Sequence, residues 1–188
     1  ETAVLRENVV KLARMIGYTP KSARSARTTV NISVQTAFPY PKSVTMAAGL
    51  VLNFTGLDNN NFVFSIPTDI TQSVDSLTGI AAFNDTVLYE GLYLTDTFVK
   101  NTAERQRFIL TNERVDTTSM IVQVTSGTVT EKYLQATDIT KIDANSKVFF
   151  LEESEYQIPE ILFGDGVVGK SLVNGDVVTV KYLSLIHI

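Results

Sequence analysis

The residues whose types and spacing could do chemistry lie late in the chain. Gly164-Asp165-Gly166-Val167-Val168-Gly169-Lys170-Ser171 satisfies G-x-x-x-x-G-K-[ST], the spacing at which backbone N–H groups and a lysine hold nucleotide phosphates. That chemistry needs a helix opening at the Lys-Ser pair, because the amides of its first turn complete the anion cradle. Only Leu172 and Val173 separate Ser171 from Asn174-Gly175, and Asp176 to Tyr182 is patterned as a strand, so no helix fits. Gly164, Asp165, Gly166 and Gly169 therefore read as turn geometry between short β segments. Asn174-Gly175 reads as a type I′ hairpin turn, both of whose central residues tolerate positive φ.

Glu152, Glu153, Glu155, Glu160 and Asp165 gather carboxylates in one stretch, and a pair of them could act as acid and base in glycoside hydrolysis. A Glu-rich loop after a strand reads more readily as a solvated turn. The run Asp58-Asn59-Asn60-Asn61 lacks the central Gly and terminal Glu of a calcium loop and reads as a turn. There is no cysteine, which removes thiolate nucleophiles, disulfides and Cys-type zinc sites together. The one histidine, His187, falls in Leu183-Ser184-Leu185-Ile186-His187-Ile188, which matches one reading frame of a transposase sequencing adapter (CTG TCT CTT ATA CAC ATC). On this reading residues 183–188 are a sequencing scar and the chain is an internal piece of a longer protein. Histidine triads and His-ligated metals then lose their central residue. The expectation is of no catalytic residue, no cofactor and no metal.

Stepping along the chain, Leu5, Val9, Leu12 and Ile16 recur at spacings of 4, 3 and 4, which predicts one apolar stripe on a helix closed by Gly17 and Pro20. A single-striped helix is not stable alone in water, so it requires a partner. Residues 1–27 carry six basic and two acidic side chains, net +4; residues 28–188 carry ten and eighteen, net −8. Lys21, Arg24 and Arg27 lack interleaved aromatics and are too few for a nucleic-acid surface; they read as a contact to an acidic neighbour. Thr and Val number 23 and 22 of 188 residues, and β-branched side chains favour a pleated backbone. Strands are predicted at 29–35, 44–54, 61–66, 85–94, 107–110, 119–124, 147–151, 157–163 and 176–182.

The expected fold class is mainly β (α+β by strict count): an N-terminal helix and linker over 1–27, then an antiparallel β-sandwich or barrel-like domain over 28–182. No apolar run approaches the ~18 residues of a membrane-spanning helix. Between Thr28 and Thr68 only Lys42 and Asp58 are charged, so that stretch is either interior or meets a partner on one face.

Several segments, spread over most of residues 5–182, carry a family resemblance. Leu5 to Arg27, with its Gly17-Tyr18-Thr19-Pro20-Lys21-Ser22 linker, resembles the end of a helix and the linker in baseplate wedge proteins of T4-like contractile-tailed phages and in the wider baseplate J-like family. Asn61-Phe62-Val63-Phe64 and Gln106-Arg107-Phe108-Ile109-Leu110 resemble strands of its β region. Lys147 to Glu153 and Ile161 to Lys170 form the most specific piece. The resemblance implies a structural, non-enzymatic subunit that pairs with itself (homodimer or ring) and with other wedge subunits around a hub, relays sheath contraction, and resides in the virion tail after assembly in the host cytoplasm. Leu5, Val9, Leu12, Ile16, Tyr18, Arg24 and Arg27 are the candidate interface residues. The competing expectation is a tail-associated carbohydrate-binding or glycan-hydrolysing module, which needs an exposed aromatic groove with opposed carboxylates.

Overall fold

A computed structural model describes residues 8, 9, 12, 22–56, 59–101, 107–154 and 158–185. The chain is mainly β: of the described residues 59% are strand against 4% helical, and the sheets form a half-barrel and a nearly closed barrel. Contacts divide the chain into two compact units: Arg24–Leu94 with Leu183–Ile188, and Glu1–Ala23 with Thr95–Tyr182.

In the unit Arg24–Leu94 the strands are β1 (Arg27–Gln35), β2 (Ser43–Met46), β3 (Gly49–Thr55), β4 (Asn61–Ile66), β5 (Ile70–Ser73) and β6 (Ile80–Glu90). Four of them make an antiparallel sheet in the order β1-β6-β4-β3, and β2 pairs with β5 in a separate ribbon. Alternation directs Val30, Ile32 and Val34 of β1 inward. On β6 the buried positions shift phase, from Ala81 and Phe83 to Thr86 and Leu88. A bulge causes the shift: Val30 pairs with Thr86 but Ile32 with Phe83, and Asp85 turns to φ 52. Its N–H donates to Asn31 Oδ1 at 2.8 Å, which holds the extra residue in place.

The second unit is built on β7 (Leu92–Val99), β8 (Phe108–Ile109), β9 (Val115–Ser126), β10 (Val129–Gln135), β11 (Val148–Glu153), β12 (Pro159–Phe163) and β13 (Val177–Ser184). These strands form one sheet in the order β7-β13-β9-β10-β11-β12-β8. The sheet is not wholly antiparallel, because β10 runs parallel to β11 through Leu134 and Val148. Its core comprises Phe108, Leu110, Val115, Val122, Val124, Tyr133, Phe149, Ile161, Val178, Val180 and Tyr182. Within that core the Tyr182 hydroxyl donates to Asp96 Oδ2 at 3.0 Å. The backbone N–H and the hydroxyl of Thr111 also reach the Asp96 carboxylate, each at 2.8 Å. Burial, ahead of the Asp96 hydrogen bond, raises the Tyr182 phenol above its ordinary value.

The described residues show no N-terminal helix as an element; Asn8, Val9 and Leu12 are helical, while Leu5, Ile16 and Tyr18 lie outside the described residues. The expected strand 44–54 is two strands, because Gly49 at φ 116 breaks it. The expected 85–94 strand is likewise the end of β6 and the start of β7, divided at Gly91 with φ 119. A side chain on Gly91 would overlap the backbone carbonyl of Ser184. Strands β5 and β10 were not predicted. The final strand runs past 182, with Leu183 and Ser184 buried in it. Among the described residues no helix is long and apolar enough to cross a membrane.

Candidate functional site

The Gly164–Ser171 segment is a loop between β12 and a single parallel bridge joining Gly164 to Ser171. Every backbone N–H from Gly166 to Lys170 points at an acceptor within the chain. Val167 and Val168 donate to Asp165 Oδ1 at 2.9 and 3.0 Å, Gly166 to the carbonyl of Gly169 at 3.0 Å, Gly169 to that of Asp143 at 2.9 Å, and Lys170 to that of Ser146 at 2.8 Å. The amides that would cradle a phosphate are spent on the loop itself and on the neighbouring 143–146 turn. The lysine is spent too: Lys170 Nζ lies 3.0 Å from Glu131 Oε2, and Lys147 Nζ lies 2.7 Å from Oε1 of the same carboxylate. Hydrogen bonds from Lys147 first and Lys170 second hold Glu131 below the usual carboxylate range, and the bond to Glu131 raises Lys170.

The glycines are explained by close approach. A Cβ on Gly164 would fall inside 3.0 Å of the carbonyl group of Gly169, and Gly169 itself sits at φ 85 with Val148 against it. No helix follows Ser171; Leu172 and Val173 lead directly into the next turn. That turn corrects the hairpin expectation. Asp176 donates its N–H to the carbonyl of Val173 at 3.0 Å, and only Gly175 has positive φ, at 92. Asn174 does not adopt the left-handed region that a type I′ turn demands. The turn opens β13, and β13 lies beside β7 and β9, so Asn174-Gly175 joins no pair of adjacent strands.

The acidic stretch is also dispersed by the fold. Register places Glu152 opposite Glu160 on β11 and β12, but Glu160 is only 1% exposed and pairs with Arg107 Nη1 at 2.9 Å. Asp165 caps its own loop, and Glu155 lies outside the described residues. Among the described residues no group of three or more His, Cys, Asp or Glu side chains could hold a metal ion.

What the fold does assemble is apolar. Val30, Ile32 and Val34 from β1, Val44 and Met46 from β2, Leu50 to Leu52 from β3, and Phe83 and Leu88 from β6 line a cleft of about 550 Å³ in the unit Arg24–Leu94. β1 and β3 are the two edge strands of their sheet, so both walls of the cleft include strand edges. On β3, Leu50, Leu52 and Phe54 are 57%, 41% and 45% exposed. Phe54 stacks on Phe62 and Phe64 of β4, with ring centroids 5.3 and 6.0 Å apart. Exposed aliphatic and aromatic side chains on an uncharged edge strand are unusual, since edges are ordinarily guarded by charge or covered by a partner. The low charge density between Thr28 and Thr68 signals this region, but the lining itself draws on residues as far apart as Val30 and Leu88, which no local pattern joins.

The interface residues predicted from sequence divide differently. Val9 and Leu12 are exposed, as are Arg24 and Arg27, the latter opening β1 opposite Tyr89. Just after the N-terminal stretch, the Ser22 hydroxyl accepts the Thr117 N–H at 3.0 Å and bonds its hydroxyl at 2.8 Å. A scan against protein-family models finds no match to this chain, and a search of curated proteins finds none either.

Proposed function

We propose that this chain is a structural subunit of a contractile-tail baseplate wedge, working by docking against neighbouring subunits. The observation that carries the reading is the open, uncharged face of the unit Arg24–Leu94, where a cleft of about 550 Å³ adjoins the exposed Leu50, Leu52 and Phe54 of an edge strand. Such a surface suits the desolvated centre of a stable protein interface. The resemblance of residues 5–27, 61–64 and 147–170 to baseplate J-like proteins supplies the assembly. In that assembly the chain meets other wedge subunits and copies of itself, and passes on the rearrangement that accompanies sheath contraction. The spent amides of the Gly164–Ser171 loop support a structural rather than a nucleotide-binding role for that motif.

Mass spectrometry of purified virions tests this reading. Peptides from residues 28–182 should co-purify with the tail fraction at a fixed ratio to other wedge subunits; their confinement to the non-virion fraction would overturn it. A second reading, a carbohydrate-binding module of the tail, draws on the stacked Phe54, Phe62 and Phe64, since sugar rings pack on exposed aromatic faces. Retention on immobilised host polysaccharide, lost in Phe54→Ala, would favour that alternative.

A further inference from the structure

We propose that the cleft receives an extended β-strand from a different polypeptide, added to the free edge of β1. The inference rests on the docking reading and gives it a mode of contact and a partner of stated chemistry. Within their sheet β1 bonds to β6 alone and β3 to β4 alone. Among the described residues, the outer edge of each strand therefore presents a row of backbone N–H and C=O groups with no strand beside it. Natural edges are ordinarily guarded by lysine, by proline or by short length. Here β1 is nine residues long and holds neither a charge nor a proline from Thr28 to Gln35, and Gly49 to Thr55 of β3 holds none either. Of the two, β1 is the better template. The bulge beside it lies in β6, so β1 stays regular, whereas Leu50 pairs with Ser65 and Leu52 with Phe64, which puts the other bulge in β3 itself.

These edges decide what kind of occupant fits. A helix satisfies its own backbone and would leave both edges bare, whereas an extended chain bonds to an edge along its length. A small apolar molecule would find little to orient it: the lining holds no charged residue, and the hydroxyl of Thr45 is already bonded to that of Thr71 at 2.8 Å. Size agrees with a strand. At interior packing density a cleft of about 550 Å³ has room for roughly four or five aliphatic side chains, the number that a strand of about nine residues turns to one face. Val30, Ile32 and Val34 set the inward alternation that the added strand continues. The partner segment therefore carries Val, Ile or Leu at alternate positions, with uncharged polar residues between them. Strands β1 to β6 already pair with one another, so none of them is the donor.

Photocrosslinking in assembled tails tests the proposal. Full-length chains carrying benzoylphenylalanine in place of Thr29 or of Ser33 are incorporated into tails and irradiated, and the adducts are mapped by mass spectrometry. The two probes stand about 13 Å apart along β1. Between them the adduct on an added strand moves by about four residues within one segment of one other tail protein; on a helix it would move by about nine. The four-residue step is the expected result. A nine-residue step, adducts only to this chain's own sequence, or no adduct to any protein overturns the proposal. Ser33→Lys and Leu52→Lys guard the two edges with charge, and each should lower recovery of the Thr29-probe adduct on the order of 10-fold while the circular dichroism β signal persists. Recovery at the wild-type level in both variants overturns the proposal as well. The docking reading fails by a separate result, the absence of the protein itself from virions.

Discussion

Replacing Gly164 by alanine separates a structural corner from a phosphate site. The new methyl group would overlap the backbone carbonyl of Gly169, and backbone cannot swing aside as a side chain can. To make room, the 164–171 loop must move off the 143–146 turn, which breaks the Gly169 and Lys170 N–H bonds to the carbonyls of Asp143 and Ser146. Two hydrogen bonds at about 1 kcal/mol each, with overpacking strain of at least about 1 kcal/mol, come to roughly 3 kcal/mol. For a chain of this length that corresponds to a fall in Tm of about 6–12 °C. Lys170→Ala is the contrast. Lys147 still holds Glu131 when Lys170 is gone, and surface ion pairs contribute little, so Tm should move by less than about 2 °C. Thermal melts followed by circular dichroism, with and without ATP and magnesium, read all of this directly. The reasoning fails if Gly164→Ala melts like the wild type, or if ATP raises Tm and Lys170→Ala abolishes the rise.

Other perturbations probe other parts of the account. Tyr182→Phe removes one of the donors to buried Asp96 and should cost about 1–3 kcal/mol in urea unfolding; a cost below about 0.5 kcal/mol would mean the Asp96 cluster is not stabilising. Gly91→Ala, at φ 119 and against the Ser184 carbonyl, should destabilise the unit Arg24–Leu94, seen as faster amide exchange in β4 and β6 with β9 unaffected. The carboxyls of Glu131, Asp138 and Asp143 are lowered by hydrogen bonds from Lys147, Thr140 and Ser146 respectively. Stability from groups lowered in the folded state is present above their unfolded values and lost as pH falls through the folded ones. Tm should therefore be flat above about pH 5 and drop below about pH 4, with Glu131→Gln reducing that drop. On the alkaline side the raised Tyr182 favours the folded state until pH climbs past the ordinary phenol value, beyond which Tm should fall.

Much of the β architecture was legible in the chain, for reasons that also mark the limits. Val30, Ile32 and Val34 alternate without interruption, and Asn61–Ile66 matches its strand end to end. In β6 the bulge at Asp85 inverts the alternation midway, so Asp85 reads as the start of a strand instead of its middle. Gly49 and Gly91 break strands through positive φ, a property that local hydrophobic pattern does not reveal. The parallel pairing of β10 with β11 is a tertiary choice with no local signature. In the candidate sites, two intervening residues were enough to deny the phosphate-loop motif its helix. The partner of Lys170 was not legible, because Glu131 lies 39 positions away and only the fold brings them together. The cleft was hidden for the same reason: low charge pointed to the stretch from Thr28 to Thr68, but Phe83 and Leu88 complete its lining from outside it.

The most direct measurement of the central claim is hydrogen–deuterium exchange on the edge strands of the unit Arg24–Leu94, in the isolated chain and in assembled tails. The account predicts fast exchange at the outward-facing amides of β1 and β3 in the isolated chain and strong protection of the same peptides on assembly, with the Gly164–Ser171 loop unchanged. Equal exchange of β1 and β3 in both states would contradict it.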